Sequence, residues 1–197
     1  EDAHTGEAYS VEVDGETVYR AASVGTFANL TIHNGTEYIT FYDAAQQTLN
    51  LLEGFAGAYT HTVVDSSGDV GQWPNVWTDG TDLHIAYHDV GGQNLKLASR
   101  SGGGSFSLNT VDTGEFRGAD TELVKHNDQM SIIYFDGHDN NMMRATQTGS
   151  DWAISTVGGN TSAVGFHNES AVVDGRLWAG SYDFTNRNLF IQDISTP

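Results

Sequence analysis

Four polar residues recur at one spacing along the chain: Asn29, Asn75, Glu122 and Glu169, which follow one another at intervals of 46, 47 and 47 residues. Two amides and two carboxylates brought together would offer only hard oxygen ligands. That donor set suits calcium better than a transition metal. The expectation is therefore a cation, calcium, held by these four residues. The alternative is a polar channel in which they satisfy one another and nearby amides.

Two positions before each of them stand Phe27, Trp73, Asp120 and His167. Aromatic, acid and imidazole groups at equivalent positions can bind a sugar, the rings stacking on its apolar face and the polar groups meeting its hydroxyls. They can equally be ordinary rim residues. A third recurrent set, Asp43, Asp89, Asp136 and Asp183, precedes Thr48, Asn94, Asn141 and Asn188 by five positions. An aspartate there can accept loop amides and fix a turn, a structural role in every repeat, or it can mark one ligand site per repeat.

Other chemistries find little footing. With no cysteine in the chain, disulfides, thiolate metal sites and cysteine nucleophiles are excluded. The eight histidines show no H-E-x-x-H spacing, and no G-x-S-x-G elbow occurs. His84 and His88 share a strand face and His138 adjoins Asp139, so these read as packed or solvated imidazoles. Paired carboxylates for glycoside hydrolysis can be nominated freely among 26 acids, so composition alone selects none.

The elements that would position these residues come from an internal repeat. YITFYDAAQQTLNL from Tyr38, HIAYHDVGGQNLKL from His84, SIIYFDGHDNNMMR from Ser131 and WAGSYDFTNRNLFI from Trp178 align without gaps. Gly25, Gly71, Gly118 and Gly165 repeat in the same register. Each unit reads as four short strands; in the second copy these are Asn75–Thr78, Leu83–His88, Leu95–Ala98 and Phe106–Val111, divided by turn signals such as Asp79-Gly80 and Gly91-Gly92. Apolar residues on both faces of the second strand suit a blade sandwiched between neighbours. The expected fold is all-β, a single four-bladed β-propeller over residues 1–197. The last copy lacks a fourth strand, and Tyr9–Val13 resembles the fourth strands, so the N-terminal strand is expected to close the ring. Half of an eight-bladed ring made by two chains, or part of a longer array, is the competing architecture.

A formal net charge of -18 argues against nucleic acid or anionic lipid as partner and favours cations or a saline exterior. No apolar run reaches the ~20 residues that span a bilayer. Asn29, Asn34, Asn160 and Asn168 open N-x-S/T triplets, common by chance in such a composition.

The unit DGTDLHIAYHDVGGQNLKLA at Asp79–Ala98 resembles a repeat of secreted bacterial propeller proteins, grouped loosely with sialidase-like repeats. The resemblance covers almost the whole chain and implies the architecture, not an activity. The Asp box of true sialidase-like repeats is not repeated, and Ser67–Trp73 approaches it once, in a different link. The leading expectation is an extracellular or surface propeller that binds a glycan or protein, supported by calcium. The second is a carbohydrate-active hydrolase or lyase at one channel mouth. The third is a structural role as a homo-oligomer.

Overall fold

The computed structural model describes residues 24–196, together with the backbone of strands β1 (Tyr9–Val13) and β2 (Glu16–Ala21). Four antiparallel sheets follow in chain order. The first contains β3 (Val24–His33), β4 (Thr36–Asp43), β5 (Thr48–Phe55) and β6 (Ala58–Asp65). The second contains β7 (Val70–Thr78), β8 (Asp82–Asp89), β9 (Asn94–Ser101) and β10 (Ser107–Asp112). The third contains β11 (Arg117–His126), β12 (Gln129–Asp136), β13 (Asn141–Thr148) and β14 (Asp151–Gly158). The fourth has three strands, β15 (Val164–Val173), β16 (Arg176–Asp183) and β17 (Asn188–Asp193). Each is a meander, and each contains the strands expected from the repeat, extended by a few residues or shifted by one.

The sheets pack face to face, and their first strands β3, β7, β11 and β15 lie beside one another in that order. This is a propeller-like arrangement. Its core lies between blades: Leu49 and Leu51 of the first pack with Val70 and Ile85 of the second, and Leu95 and Leu97 of the second with Leu123 and Ile132 of the third. Burial on both faces explains why the second strands read as nearly continuous apolar runs, as in Ile85-Ala86-Tyr87, all 0% exposed.

Polar groups reinforce these boundaries. Tyr87 donates its hydroxyl to Asp65 at 2.6 Å, and Lys96 Nζ meets the same carboxylate oxygen at 2.6 Å. Tyr134 donates likewise to Asp112 at the next boundary. In the fourth sheet Ser181 stands where Tyr134 stood, and Gly158 stands where its aspartate partner was. Donor and acceptor disappear together, so neither leaves a buried orphan.

The recurrent aspartates hold the turns after the second strands. Asp43 accepts the amides of Ala45 and Gln46, Asp89 that of Gly92, Asp136 those of His138 and Asp139, and Asp183 that of Asn186. This is the turn-fixing role expected of them.

The N-terminal strand departs from expectation. β1 pairs antiparallel with β2, Val13 opposite Glu16, and not with β17. Closure of the fourth sheet by Tyr9–Val13 is therefore not what this structure contains. The physical reason was available in Asp14-Gly15, the dipeptide that most strongly favours a two-residue hairpin. A partner two residues away also costs much less chain entropy than one at the far end of the chain.

Candidate functional site

Every first strand carries a bulge, and that bulge builds the site. The pairing slips between Thr26 and Asn29, Gln72 and Asn75, Ala119 and Glu122, and Phe166 and Glu169. Within the slips Phe27, Trp73, Asp120 and His167 adopt positive φ of 56°, 48°, 47° and 55°. A non-glycine residue costs roughly 1–2 kcal/mol in this region. Glycine or asparagine would fill such a position at least cost, yet none of the four is either. Asp120 and His167 are of types that enter this region more readily than Phe27 and Trp73, and strain of this kind clusters at functional sites.

Three of these four residues line one cavity of about 220 Å3, together with Asn29, Asn75, Glu122 and Glu169. The four recurrent polar residues Asn29, Asn75, Glu122 and Glu169 thus line one space. Phe27 and Trp73 form one wall, their ring centroids 4.6 Å apart. His167 lies next door, in an apolar hollow it shares with Tyr182 and Leu189 at the free face of the fourth sheet, and its backbone N–H reaches Asp120 Oδ2 at 3.4 Å. Glu169 lines both spaces.

The axial oxygens form a relay from blade to blade. Asn29 Oδ1 accepts the backbone N–H of Val76 at 3.0 Å, and Asn75 Oδ1 accepts that of Leu123 at 2.9 Å. Asn75 Nδ2 donates to Glu122 Oε2 at 2.8 Å, and the Ser170 hydroxyl donates to Glu122 Oε1 at 3.0 Å. Each blade is tied to the next by one side chain of its innermost strand. An asparagine suffices for that task at two boundaries; at the third a carboxylic acid performs it.

That acid is perturbed. Burial pushes the Glu122 carboxyl up to about 7, with the nearby Glu169 charge adding to the effect, although Ser170 and Asn75 oppose it. Burial raises Asp120 as well, against the pull of the His167 amide. Two acids whose pKa values burial raises thus line one cavity with an aromatic wall.

Several contributors were not singled out in the sequence. Phe116, and with it His88, which the sequence offered only as a packed or solvated imidazole, complete the aromatic cluster around Trp73, with centroids 6.1 Å and 5.6 Å from its ring. Thr121 Oγ1 holds the Trp73 carbonyl at 2.5 Å, and Asn168 Nδ2 holds that of Asp120 at 2.8 Å. Thr121 and Asn168 are adjacent to the recurrent positions and were open to detection by the same alignment. Phe116 comes from a link outside the repeat, where no periodic signal exists. His84 and His88 are packed imidazoles, as expected, and burial lowers both from the usual value.

The fit to a divalent cation is poor. Both amide oxygens and both Glu122 oxygens already accept hydrogen bonds, and among the described residues no group of three or more His, Cys, Asp or Glu is placed to hold a metal.

No protein-family model and no curated protein matches the chain. Solved structures do resemble it in fold. An exo-β-1,3-galactanase from Phanerochaete chrysosporium, solved with β-1,3-galactotriose, superposes with a TM-score of 0.62 at 12% identity over 98% of this chain and 51% of the other. The catalytic domain of an α-L-arabinofuranosidase from Coprinopsis cinerea gives 0.55 at 12% identity, over 87% and 66%. A protein of unknown function from Dyadobacter fermentans gives 0.60 at 14%, over 82% and 50%. The chain thus spans about half the length of the first of these structures. At such identities the likeness carries the propeller-like fold alone. It lends nothing to the sialidase-like repeat.

Proposed function

We propose that the chain is a carbohydrate-active hydrolase that takes a neutral terminal sugar residue into the axial cavity. This reverses the order of the two leading expectations from sequence. The observation that carries it is the placing of Glu122 and Asp120 on the wall of a small cavity faced by Phe27 and Trp73. At about 220 Å3 the cavity is below the ~300 Å3 at which drug-sized pockets begin, so it suits one ring rather than a chain segment. Its acidic lining disfavours anionic sugars. The fold likeness to enzymes titled as galactanase and arabinofuranosidase supports the reading.

The chemistry follows from the two acids. Glu122, uncharged below about pH 7, gives its proton to the glycosidic oxygen as that bond to the anomeric carbon breaks. The carboxylate left behind is stabilised by the donors already aimed at it, Asn75 Nδ2 and the Ser170 hydroxyl. Asp120 takes a proton from the water that attacks the anomeric carbon. Trp73 and Phe27 offer stacking surface to the apolar face of the sugar.

Calcium support and export from the cell remain proposals resting on composition alone; the axial oxygens, which already accept hydrogen bonds, do not favour the first. A binding-only module is the second reading, favoured by the engagement of both Glu122 oxygens in holding the blades together. The test is a panel of aryl glycosides and oligosaccharides with wild type and Glu122→Gln. Gln keeps the shape and an acceptor but has no proton to give. Hydrolysis lost at least a hundredfold with sugar retention preserved supports the enzyme; retention without turnover in both proteins assigns a lectin-like module.

A further inference from the structure

In a chain of net charge -18, Arg187 pairs with no acid. The other described lysines and arginines are all engaged. Arg100 meets Glu53, Arg117 meets Asp136, Arg176 meets Asp193 and Lys96 meets Asp65. Arg144 donates to the Ile194 carbonyl, and Lys125 lies over the Trp77 ring. Among the described residues Arg187 alone of these cations has no hydrogen bond, ion pair or ring contact. Its backbone does not account for the choice of side chain. Its φ of 56° matches the 57°, 58° and 59° of Gln47, Gln93 and Asn140 at the same turn position, so an amide serves this turn as well.

Arg187 lines the hollow of about 450 Å3 that adjoins the axial cavity. The register of the fourth sheet sets Glu169 opposite Gly180 and Tyr182 opposite Leu189, and these four share one face. Where this blade has Gly180, the others have Thr40, Ala86 and Ile133, each 0% exposed. Among the described residues, a Cβ on Gly180 would meet nothing nearer than the Phe190 carbonyl oxygen, at 3.8 Å. A missing side chain therefore helps to open the space. Three contacts join it to the axial cavity. Glu169 lines both, the His167 N–H reaches Asp120 Oδ2 at 3.4 Å, and Ser170, next to Glu169, holds Glu122 Oε1 at 3.0 Å. Its volume falls within the ~300–1,000 Å3 of ligand pockets, enough for a sugar ring and a substituent.

We propose that this hollow seats the sugar on the leaving-group side of the scissile bond, and that Arg187 binds an anionic substituent on it, a carboxylate or a sulfate. The assignment of sides rests on the hydrolase reading, and it narrows the substrate to a glycan in which a neutral terminal residue is linked to an acidic one. A guanidinium offers paired N–H donors matched to either oxyanion. Tyr182 and Leu189 supply apolar surface for the ring. Glu169 also lines the hollow but forms no ion pair with Arg187, which leaves the guanidinium available. The axial cavity, lined by Asp120, Glu122 and Glu169, repels the same substituent, and so fixes the order of the two residues.

Titration of the 15N-labelled full chain with glucuronic acid, glucose 6-sulfate and glucose, followed by NMR, tests this without any turnover. The acidic sugars are expected to move the backbone amides of Gly180, Asn188 and Leu189 at lower concentration than glucose does, and added salt should weaken them. Whichever acidic sugar binds more tightly identifies the substituent as carboxylate or sulfate. Arg187→Gln should weaken the acidic sugars about tenfold and bring them level with glucose. Gly180→Ile, which fills the hollow with the residue of the third blade, should weaken all three. Arg176→Gln, on the same sheet but already paired with Asp193, should change nothing. Acidic sugars that bind no better than glucose, or a preference that survives Arg187→Gln, would overturn the proposal. Wild-type activity on neutral aryl glycosides tests the hydrolase reading separately; its absence would remove the leaving-group assignment and leave the anion site to stand or fall on the titration.

Discussion

Asn75 Nδ2 donates a 2.8 Å hydrogen bond to Glu122 Oε2 across the boundary between the second and third blades. The amide of one blade therefore favours the ionised form of an acid in the next, while its own oxygen is pinned by the Leu123 N–H. Burial still wins over this donor, and the carboxyl sits at about 7 instead of 4.5. A raised acid favours the protonated folded state, so its contribution to stability is full below about 4.5 and is lost as pH climbs through about 7. Between about pH 5 and pH 8 the wild type should lose on the order of 2–3 kcal/mol relative to Glu122→Gln. Urea unfolding of both proteins at the two pH values checks this; parallel pH dependence would refute it.

The same pair sets the rate profile of the proposed hydrolysis. With Glu122 as the proton donor, kcat/KM should fall as pH rises through about 7. Asn75→Asp keeps an acceptor for Leu123 N–H but exchanges a donor for a negative charge beside Glu122. A like charge disfavours ionisation, so the basic limb should move up by about one unit. A limb that stays in place would mean that another group supplies the proton.

What the chain discloses before folding is what its backbone requires. Gly71, Gly118 and Gly165 are visible as a repeat because each meets a neighbouring blade too closely for a Cβ, and Asp43, Asp89, Asp136 and Asp183 because each must hold a turn. The axial set Asn29, Asn75, Glu122 and Glu169 was legible for the same reason, as one position of a repeated bulge. The pairing of Tyr9–Val13 was not, because its resemblance to a fourth strand competes with the local hairpin signal of Asp14-Gly15. Nor was Phe116, whose place beside Trp73 depends on how a non-repeating link is laid against the second blade.

His167 offers a test of the claim that strain is kept for function. It is exposed and holds φ of 55°, so replacing it should reveal the backbone preference with little loss of packing. His167→Gly should be more stable than His167→Ala by about 1 kcal/mol, although glycine loses more entropy on folding. Both should impair sugar binding alike if the imidazole takes part. Thermal unfolding and a binding titration on the two variants separate the effects, and equal stability would show that the bulge tolerates a side chain without strain.

Asp65, Lys96 and Tyr87 form a buried triad between the first two blades. Burial alone would raise the Asp65 carboxyl, but the Lys96, Tyr87 and Ser67 donors hold it below its usual value. A lowered acid contributes stability above its unfolded value, lost as pH falls through the folded one. Lys96→Met leaves the carboxylate buried with one partner fewer and should cost roughly 3–5 kcal/mol near neutral pH. The deficit should shrink toward acid pH as Asp65 takes up a proton, which denaturation at several pH values would follow. A constant deficit would place the effect in lost packing of the lysine stem.

Chelation decides between the two readings of the axial oxygens. Were calcium the support of this channel, it would draw on Asn29, Asn75, Glu122 and Glu169 together and neutralise the last two. Removing it would then expose two repelling acids and lower Tm by several degrees. The relay argues otherwise. Asn29 and Asn75 already satisfy backbone amides of the next blade, and Glu122 keeps its proton to about pH 7, which removes much of the repulsion without a metal. Treatment with a chelator is therefore expected to leave Tm unchanged at about pH 6, where Glu122 is mostly uncharged. A drop on chelation that calcium restores and magnesium does not would reverse this, and would make Glu169 the first ligand to mutate.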